Sequence, residues 1–175
     1  MRPLVTEDRI RAFMRYLGLK SAKVGRVYFT GGVTAVLHGW RASTVDLDLT
    51  VIPESDQLLR ALSDSKEEFK VNVELASPAH FIPELPGWEG RCVYIGKEGK
   101  LSFYHYDFYS QALSKIERGH DQDRTDVRMM FTKGLVESKT LRALFGKIEP
   151  NLHKYPAIDP NSFAQRLEQT LQENT

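Results

Sequence analysis

Cysteine is nearly absent from this sequence. One of 175 residues is Cys, at position 92. That excludes an internal disulfide framework and a zinc site built from several thiolates, and it fits a reducing compartment. No apolar run approaches the roughly 20 residues needed to cross a bilayer. The N-terminal stretch MRPLVTEDRIRAFMRYLG is charged throughout and holds no signal-peptide core. These absences point to a cytoplasmic protein with no membrane partner. There is no internal repeat and no low-complexity segment, and no excess of one charge, the net being +1. The hydrophobic share of 41% and charged share of 27% describe a chain that can fold. A chain of this length buries roughly two thirds of its unfolded surface. The expectation is a single domain over 1–175, with a core at about 26–135 and a helical extension at about 136–175.

The charge is unevenly spread. Arg2, Arg9, Arg11, Arg15, Lys20, Lys23 and Arg26 face only Glu7 and Asp8 within the first thirty residues, a local net of +5. Such an end could meet a polyanion, or could be a solvated helix face.

Thr6 stands where it can cap a helix over about 7–19, in which Ile10, Phe13, Met14 and Leu17 form one apolar stripe. Arg26–Thr30 reads as a strand, Gly31-Gly32 as a turn, and Val33–His38 as a short helix closed by Gly39. Thr44–Ile52, TVDLDLTVI, is the clearest strand. Val45, Leu47, Leu49 and Val51 fall on one face, with Thr44, Asp46, Asp48 and Thr50 on the other. Asp56–Leu62 reads as helix. KVNVEL (70–75) alternates again, placing Asn72 and Glu74 on one face. Pro78, Pro83 and Pro86 point to an extended loop. Arg91–Ile95 and Leu101–Tyr106 form a hairpin about Gly96–Gly99, with Cys92 a small core residue in its first strand. Helical patterning covers 107 to about 132, then 138–145 and 163–171, with a proline-containing connector before the last. The fold class is α+β (α/β), a short mixed sheet flanked by helices with a helical C-terminal part.

Two carboxylates at i and i+2 on an otherwise apolar strand repel one another and lose hydration. A divalent cation resolves that conflict, since hard oxygen ligands suit Mg²⁺ with a substrate phosphate completing its shell. The alternative is the solvent-facing side of an edge strand. Gly31-Gly32 lets backbone N–H groups approach an anion closely, or is a plain turn. Lys115 and Arg118 share one helix face, and Asp123 and Asp126 another. The cations could grip nucleotide phosphates; equally, the four residues could form a salt-bridge network, with Asp123 capping the second helix. Arg41 could contact phosphate or pair with Asp46 or Asp48. Thr44 points into the site or packs in the strand. His38, His80, His105, His120 and His153 have no metal-ligand spacing. Tyr104, Tyr106, Phe108 and Tyr109 could stack on a base but suit a core.

Gly31-Gly32, thirteen intervening residues and Asp46-Leu47-Asp48 together resemble the nucleotidyltransferase superfamily typified by DNA polymerase β. Glu74 matches that family's third carboxylate, as Glu where many relatives carry Asp. The run Gly39-x-Arg41-x-x-Thr44-x-Asp46-x-Asp48 and the later Lys115…Arg118…Asp123…Asp126 resemble its small stand-alone branch, which includes the AbiEii-type toxins of toxin–antitoxin pairs. The likeness covers about residues 26–135. It implies transfer of NMP from an NTP, ATP among them, to a hydroxyl acceptor. Two Mg²⁺ ions, or Mn²⁺, would be held by Asp46, Asp48 and Glu74. Gly31, Gly32, Arg41, Thr44, Lys115, Arg118 and Asp126 would hold the nucleotide. The family's acceptors include RNA 3′ ends (tRNA among them), protein side chains and small molecules, and a cognate antitoxin is a further implied partner. The basic N-terminal segment favours RNA. Two other classes stay open: a non-catalytic nucleotide-binding or toxin–antitoxin module of the same fold, and an RNA-binding protein without nucleotide chemistry.

Overall fold

The computed structural model describes residues 3–175, so Arg2 of the basic segment lies outside the described residues. The chain separates into two compact units. The first comprises Met1–Ser77 with Cys92–Tyr106, the second Pro78–Arg91 with Asp107–Thr175.

In the first unit, alternating apolar residues build a mixed five-stranded sheet. Its strands are β1 (Gly25–Thr30), β2 (Asp46–Ile52), β3 (Asn72–Leu75), β4 (Val93–Glu98) and β5 (Leu101–His105), in the spatial order β3-β2-β1-β5-β4. β1 runs antiparallel to β2 and parallel to β5, β2 parallel to β3, and β4 antiparallel to β5. Val27, Phe29, Leu47, Leu49, Val51, Val73, Leu101 and Phe103 form the core with three helices, α1 (Glu7–Lys20), α2 (Gly32–Leu37) and α3 (Asp56–Phe69). The stripe foreseen on α1 is the one buried: Ile10, Phe13, Met14 and Leu17, each contributing roughly 2 kcal/mol of hydrophobic burial. The period of two also holds in β2, where Leu47, Leu49 and Val51 are buried and Asp46, Asp48 and Thr50 half-buried.

Several local expectations give way. Thr6 occupies the N-cap of α1, but its side chain makes no capping bond. α3 runs on to Phe69 because Ser65 takes the next place in the buried stripe after Leu58, Ala61 and Leu62. Its hydroxyl is satisfied locally by donating to the Leu62 carbonyl at 2.6 Å. The hairpin turn is shorter than foreseen. β4 continues through Gly96, Lys97 and Glu98, with a register irregularity between Tyr94 and Gly96, and Gly99 (φ +57°) opens a two-residue turn. Cys92 precedes β4 and is half-buried. The last turn of α1 meets that hairpin backbone to backbone: a Cβ added at Gly18 would lie 2.5 Å from the Glu98 carbonyl oxygen.

The basic segment is partly consumed by its own unit. The Arg9 guanidinium donates to the carbonyls of Pro3, Leu4 and Phe69, closing the end of α3. Arg11 pairs with Glu7, Lys20 lies over the Tyr16 ring, and Arg26 lies over Tyr28.

The second unit is helical. The proline segment is not wholly extended: Pro78–His80 makes a 3₁₀ turn and Trp88–Arg91 a short helix, α4. Arg91 donates two bonds to the buried carboxylate of Asp107, at 3.1 and 2.9 Å. Asp107 in turn caps α5 (Phe108–Arg118) at the amides of Tyr109 and Ser110. The helical run expected from 107 to 132 is two helices, because Gly119 (φ +70°) adopts the left-handed conformation that ends α5 before α6 (Asp121–Thr132). α7 (Ser138–Ile148) follows, and the connector carries a 3₁₀ segment, Glu149–Lys154, before α8 (Pro160–Glu173). Phe145 and Phe163 meet edge to face at 4.9 Å, and Arg166 donates to the carbonyls of Ile116 and Glu117 in the last turn of α5. Tyr106 and Phe108 are buried, Tyr104 is half-buried, and the Tyr109 hydroxyl accepts from the Glu137 amide. Among the described residues, no helix is long and apolar enough to cross a membrane.

Candidate functional site

The sheet face opposite the core carries the acidic residues. Asp46, Asp48 and Thr50 project there from β2, flanked by β1 and β3. Register pairs Asp48 with Thr30 of β1 on one side and with Glu74 of β3 on the other. Glu74, inferred from family likeness, therefore stands directly across from Asp48. Asn72 pairs with Asp46 in the same register. Its amide nitrogen donates to Asp46 Oδ1 at 2.9 Å and to Glu74 Oε1 at 2.6 Å.

The double glycine closes this end of the sheet. Gly31 (φ +65°, ψ −130°) turns the chain out of β1 and Gly32 begins α2. A Cβ on Gly31 would lie 3.0 Å from Asp48 Oδ2. A Cβ on Gly32 would lie 2.0 Å from Thr44 Oγ1 and 3.3 Å from an Arg41 guanidinium nitrogen. The turn is thus more than a flexible link. Its bare backbone packs against Asp48, Thr44 and Arg41, and no larger residue fits position 32 unless Thr44 moves. Thr44 is held by a two-way backbone bridge to Val5, at 2.8 and 2.9 Å.

α2 is tied to β5 through His105, whose ring also meets that of His38, the residue at the C-cap of α2. Thr34 Oγ1 and His105 Nδ1 share a hydrogen bond at 3.1 Å, and the His105 and His38 rings lie 4.5 Å apart. Burial pushes the His105 imidazole down to about 3, helped by the charges of His38 and Arg11. At neutral pH His105 is therefore an uncharged structural partner of α2.

The structure thus brings Gly31, Gly32, Arg41, Thr44, Asp46, Asp48 and Glu74 to one region of the first unit. Lys115, Arg118 and Asp126 lie in the second unit, gathered with one another. Lys115 Nζ, 6% exposed, sits 2.9 Å from Asp126 Oδ2 and 3.6 Å from Asp123 Oδ1. Arg118 reaches Asp123 at 2.8 Å. His120, not Asp123, occupies the N-cap of α6; Asp123 is spent on these ion pairs.

Asn72 and Thr30 are the members of the acidic face not singled out from the sequence. The alternation in KVNVEL already placed Asn72 beside Glu74, but no pattern within one strand shows which residue of a neighbouring strand it will meet.

Among the described residues, no three Asp, Glu, His or Cys side chains converge into a ready-made metal cage. Mg²⁺ does not require one: it commonly takes one or two protein carboxylates and completes its octahedron with phosphate oxygens and water. Asp46 and Asp48, hard carboxylates two residues apart on one sheet face, fit that chemistry, with Glu74 in register across from Asp48.

No curated protein and no solved structure matches the chain. A family does, over residues 9–166, a span that holds both the acidic face and the ion-pair cluster. The chain belongs to that family, DUF6036, described as a nucleotidyltransferase of unknown function.

Proposed function

We propose that this protein transfers a nucleoside monophosphate from an NTP to a hydroxyl acceptor, with a divalent cation at Asp46, Asp48 and Glu74. The observation that carries the reading is the register that puts Glu74 across from Asp48, with Gly31 against the same carboxylate. Magnesium, or manganese in its place, would neutralise triphosphate charge and make the acceptor hydroxyl more acidic. The chain's own residues do the rest. Gly31 and Gly32 let phosphate oxygens approach bare backbone, and Arg41, beside Gly32, adds a guanidinium to orient them. The acceptor oxygen attacks the α-phosphorus as the bond to the β-phosphate's bridging oxygen breaks. Pyrophosphate leaves, and Glu74, exposed at the sheet edge, takes the acceptor's proton. Lys115, Arg118 and Asp126 are left to their ion pairs, where Lys115 already faces two carboxylates.

Of the acceptors, we favour an RNA 3′ end, tRNA among them, on the basic character of residues 1–30, in a cytoplasmic setting and with a toxin–antitoxin role. A second reading, a non-catalytic nucleotide-binding or toxin–antitoxin module, draws on one observation: among the described residues no three acidic, histidine or cysteine side chains converge on one position. Pyrophosphate release separates the two readings. Incubation with each labelled NTP, Mg²⁺ and a total RNA and protein extract identifies the acceptor by what becomes labelled.

Calorimetry tests the site itself. With Mg²⁺ present, Asp46→Asn and Asp48→Asn should each weaken NTP binding at least tenfold, about 1.4 kcal/mol, and without metal all three proteins should bind alike. Equal affinity with and without metal, in wild type and both variants, would sink the metal site.

A further inference from the structure

We propose that Asn72 is a positioning residue of the acidic site, whose carboxamide ties Asp46 on β2 to Glu74 on β3 and fixes the arrangement that a divalent cation meets. The proposal rests on the nucleotidyl-transfer reading and goes beyond it to a residue with no part in the chemistry.

The geometry is that of a two-donor clamp. Asn72 is the register partner of Asp46 and stands two residues before Glu74 on the same face of β3. Its nitrogen lies 2.9 Å from one carboxylate and 2.6 Å from the other. Both partners are carboxylate oxygens placed to accept, so the nitrogen end of the amide faces them and offers a hydrogen to each. The bonds are charge-assisted and hold together two groups that repel. The second oxygen of each carboxylate, Asp46 Oδ2 and Glu74 Oε2, takes no part in the bridge.

An amide suits this position for a further reason. A lysine or arginine would clamp the same carboxylates but bring a permanent positive charge that opposes a metal ion. Asparagine supplies donors without charge, at every pH. Glu74 gains most, since it is exposed, has three rotatable bonds and lies on a four-residue edge strand. The bond to Asn72 removes rotamer freedom that metal binding would otherwise have to remove.

The test measures Mn²⁺ binding to the protein directly, by the loss of the free-ion electron paramagnetic resonance signal in the absence of nucleotide, whose phosphates would themselves take up the ion. Activity against metal concentration is followed alongside. Asn72→Ala should weaken Mn²⁺ affinity roughly ten- to a hundredfold, the usual effect of removing a partner that orients a ligand. The turnover number at saturating metal should change little. Asn72→Ser restores one donor of the two and should fall between Asn72→Ala and wild type, and it stands in if the alanine variant does not fold. Asp48→Asn is the reference for loss of a ligand. If Asp48→Asn loses Mn²⁺ while Asn72→Ala and Asn72→Ser bind it as wild type does, the positioning role is overturned and the metal site stands. A lower urea midpoint with unchanged Mn²⁺ affinity overturns it equally, by showing a purely structural bond. If wild type binds Mn²⁺ no better than Asp48→Asn, the metal site itself falls, and this role with it.

Discussion

Burial in the fold suppresses the charge of His105. It is 5% exposed, bonded to Thr34 and 4.5 Å from the His38 ring, and its imidazole stays neutral until about pH 3. In the unfolded chain it takes a proton near pH 6.5. Between those values the unfolded state binds the extra proton, so stability falls as pH falls through that window. The expected contribution is a loss of about 2 kcal/mol by pH 5. Urea titrations at pH 7.5 and 5 should show the drop in wild type, and His105→Gln should be flatter by that amount. Identical pH profiles would show that His105 is not the source. The sequence marked His105 only as lacking metal-ligand spacing. Its burial beside a second histidine depends on contacts about seventy positions apart in the chain. Asp46 and Asp48 were legible for the opposite reason. Their signal is local, a strict alternation inside one strand, and the structure keeps it from Asp46 to Ile52, whereas Val45, just before β2, is exposed and Thr44 buried. Glu74 needed the family likeness to be selected and the register to be placed.

Elements were legible where an apolar stripe or a turn residue marked them, and misjudged where a polar residue stood in for an apolar one. Ser65 in α3 is such a case; in the hairpin, Gly-Lys-Glu-Gly holds two turn-forming glycines, and only the second, Gly99, opens the turn. α5 and α6 carry the sharper lesson. The spacing showed that Lys115 and Arg118 share a face and that Asp123 and Asp126 share another, yet it left open whether the cations meet phosphate or each other's carboxylates. Their burial in a tight set of ion pairs gives a definite expectation. Lys115→Ala takes from the Asp126 carboxylate, 1% exposed in its side chain, a cation 2.9 Å away, and should cost about 3–5 kcal/mol, read as a lower urea midpoint. Combined with Asp126→Asn, the effect should be less than additive. An unchanged midpoint with a raised KM for NTP would return Lys115 to the phosphates.

For the whole molecule, the order of strands in space differs from their order in sequence, and that was not legible. Nothing in Arg26–Thr30 announces that it will be the central strand. β1 earns that place by its neighbours, antiparallel β2 on one side and parallel β5 on the other. Hydrogen exchange should therefore find the amides of β1 among the slowest in the first unit, and those of the edge strands β3 and β4 faster. Faster exchange in β1 than in β3 would contradict this strand order. The same topology bears on how the chain is made. β1 and β2 can pair as soon as both have left the ribosome, but the strand that covers the other side of β1 begins at Leu101. At roughly 5–20 residues per second, that side waits about 4 to 14 seconds for its partner. During that time a strand containing Val-Tyr-Phe offers an open hydrogen-bonding edge to any other nascent chain. The segment Pro78–Arg91, made in that interval, belongs to the other unit and cannot supply the missing strand. The central strand of the finished first unit is therefore exposed on one side during synthesis.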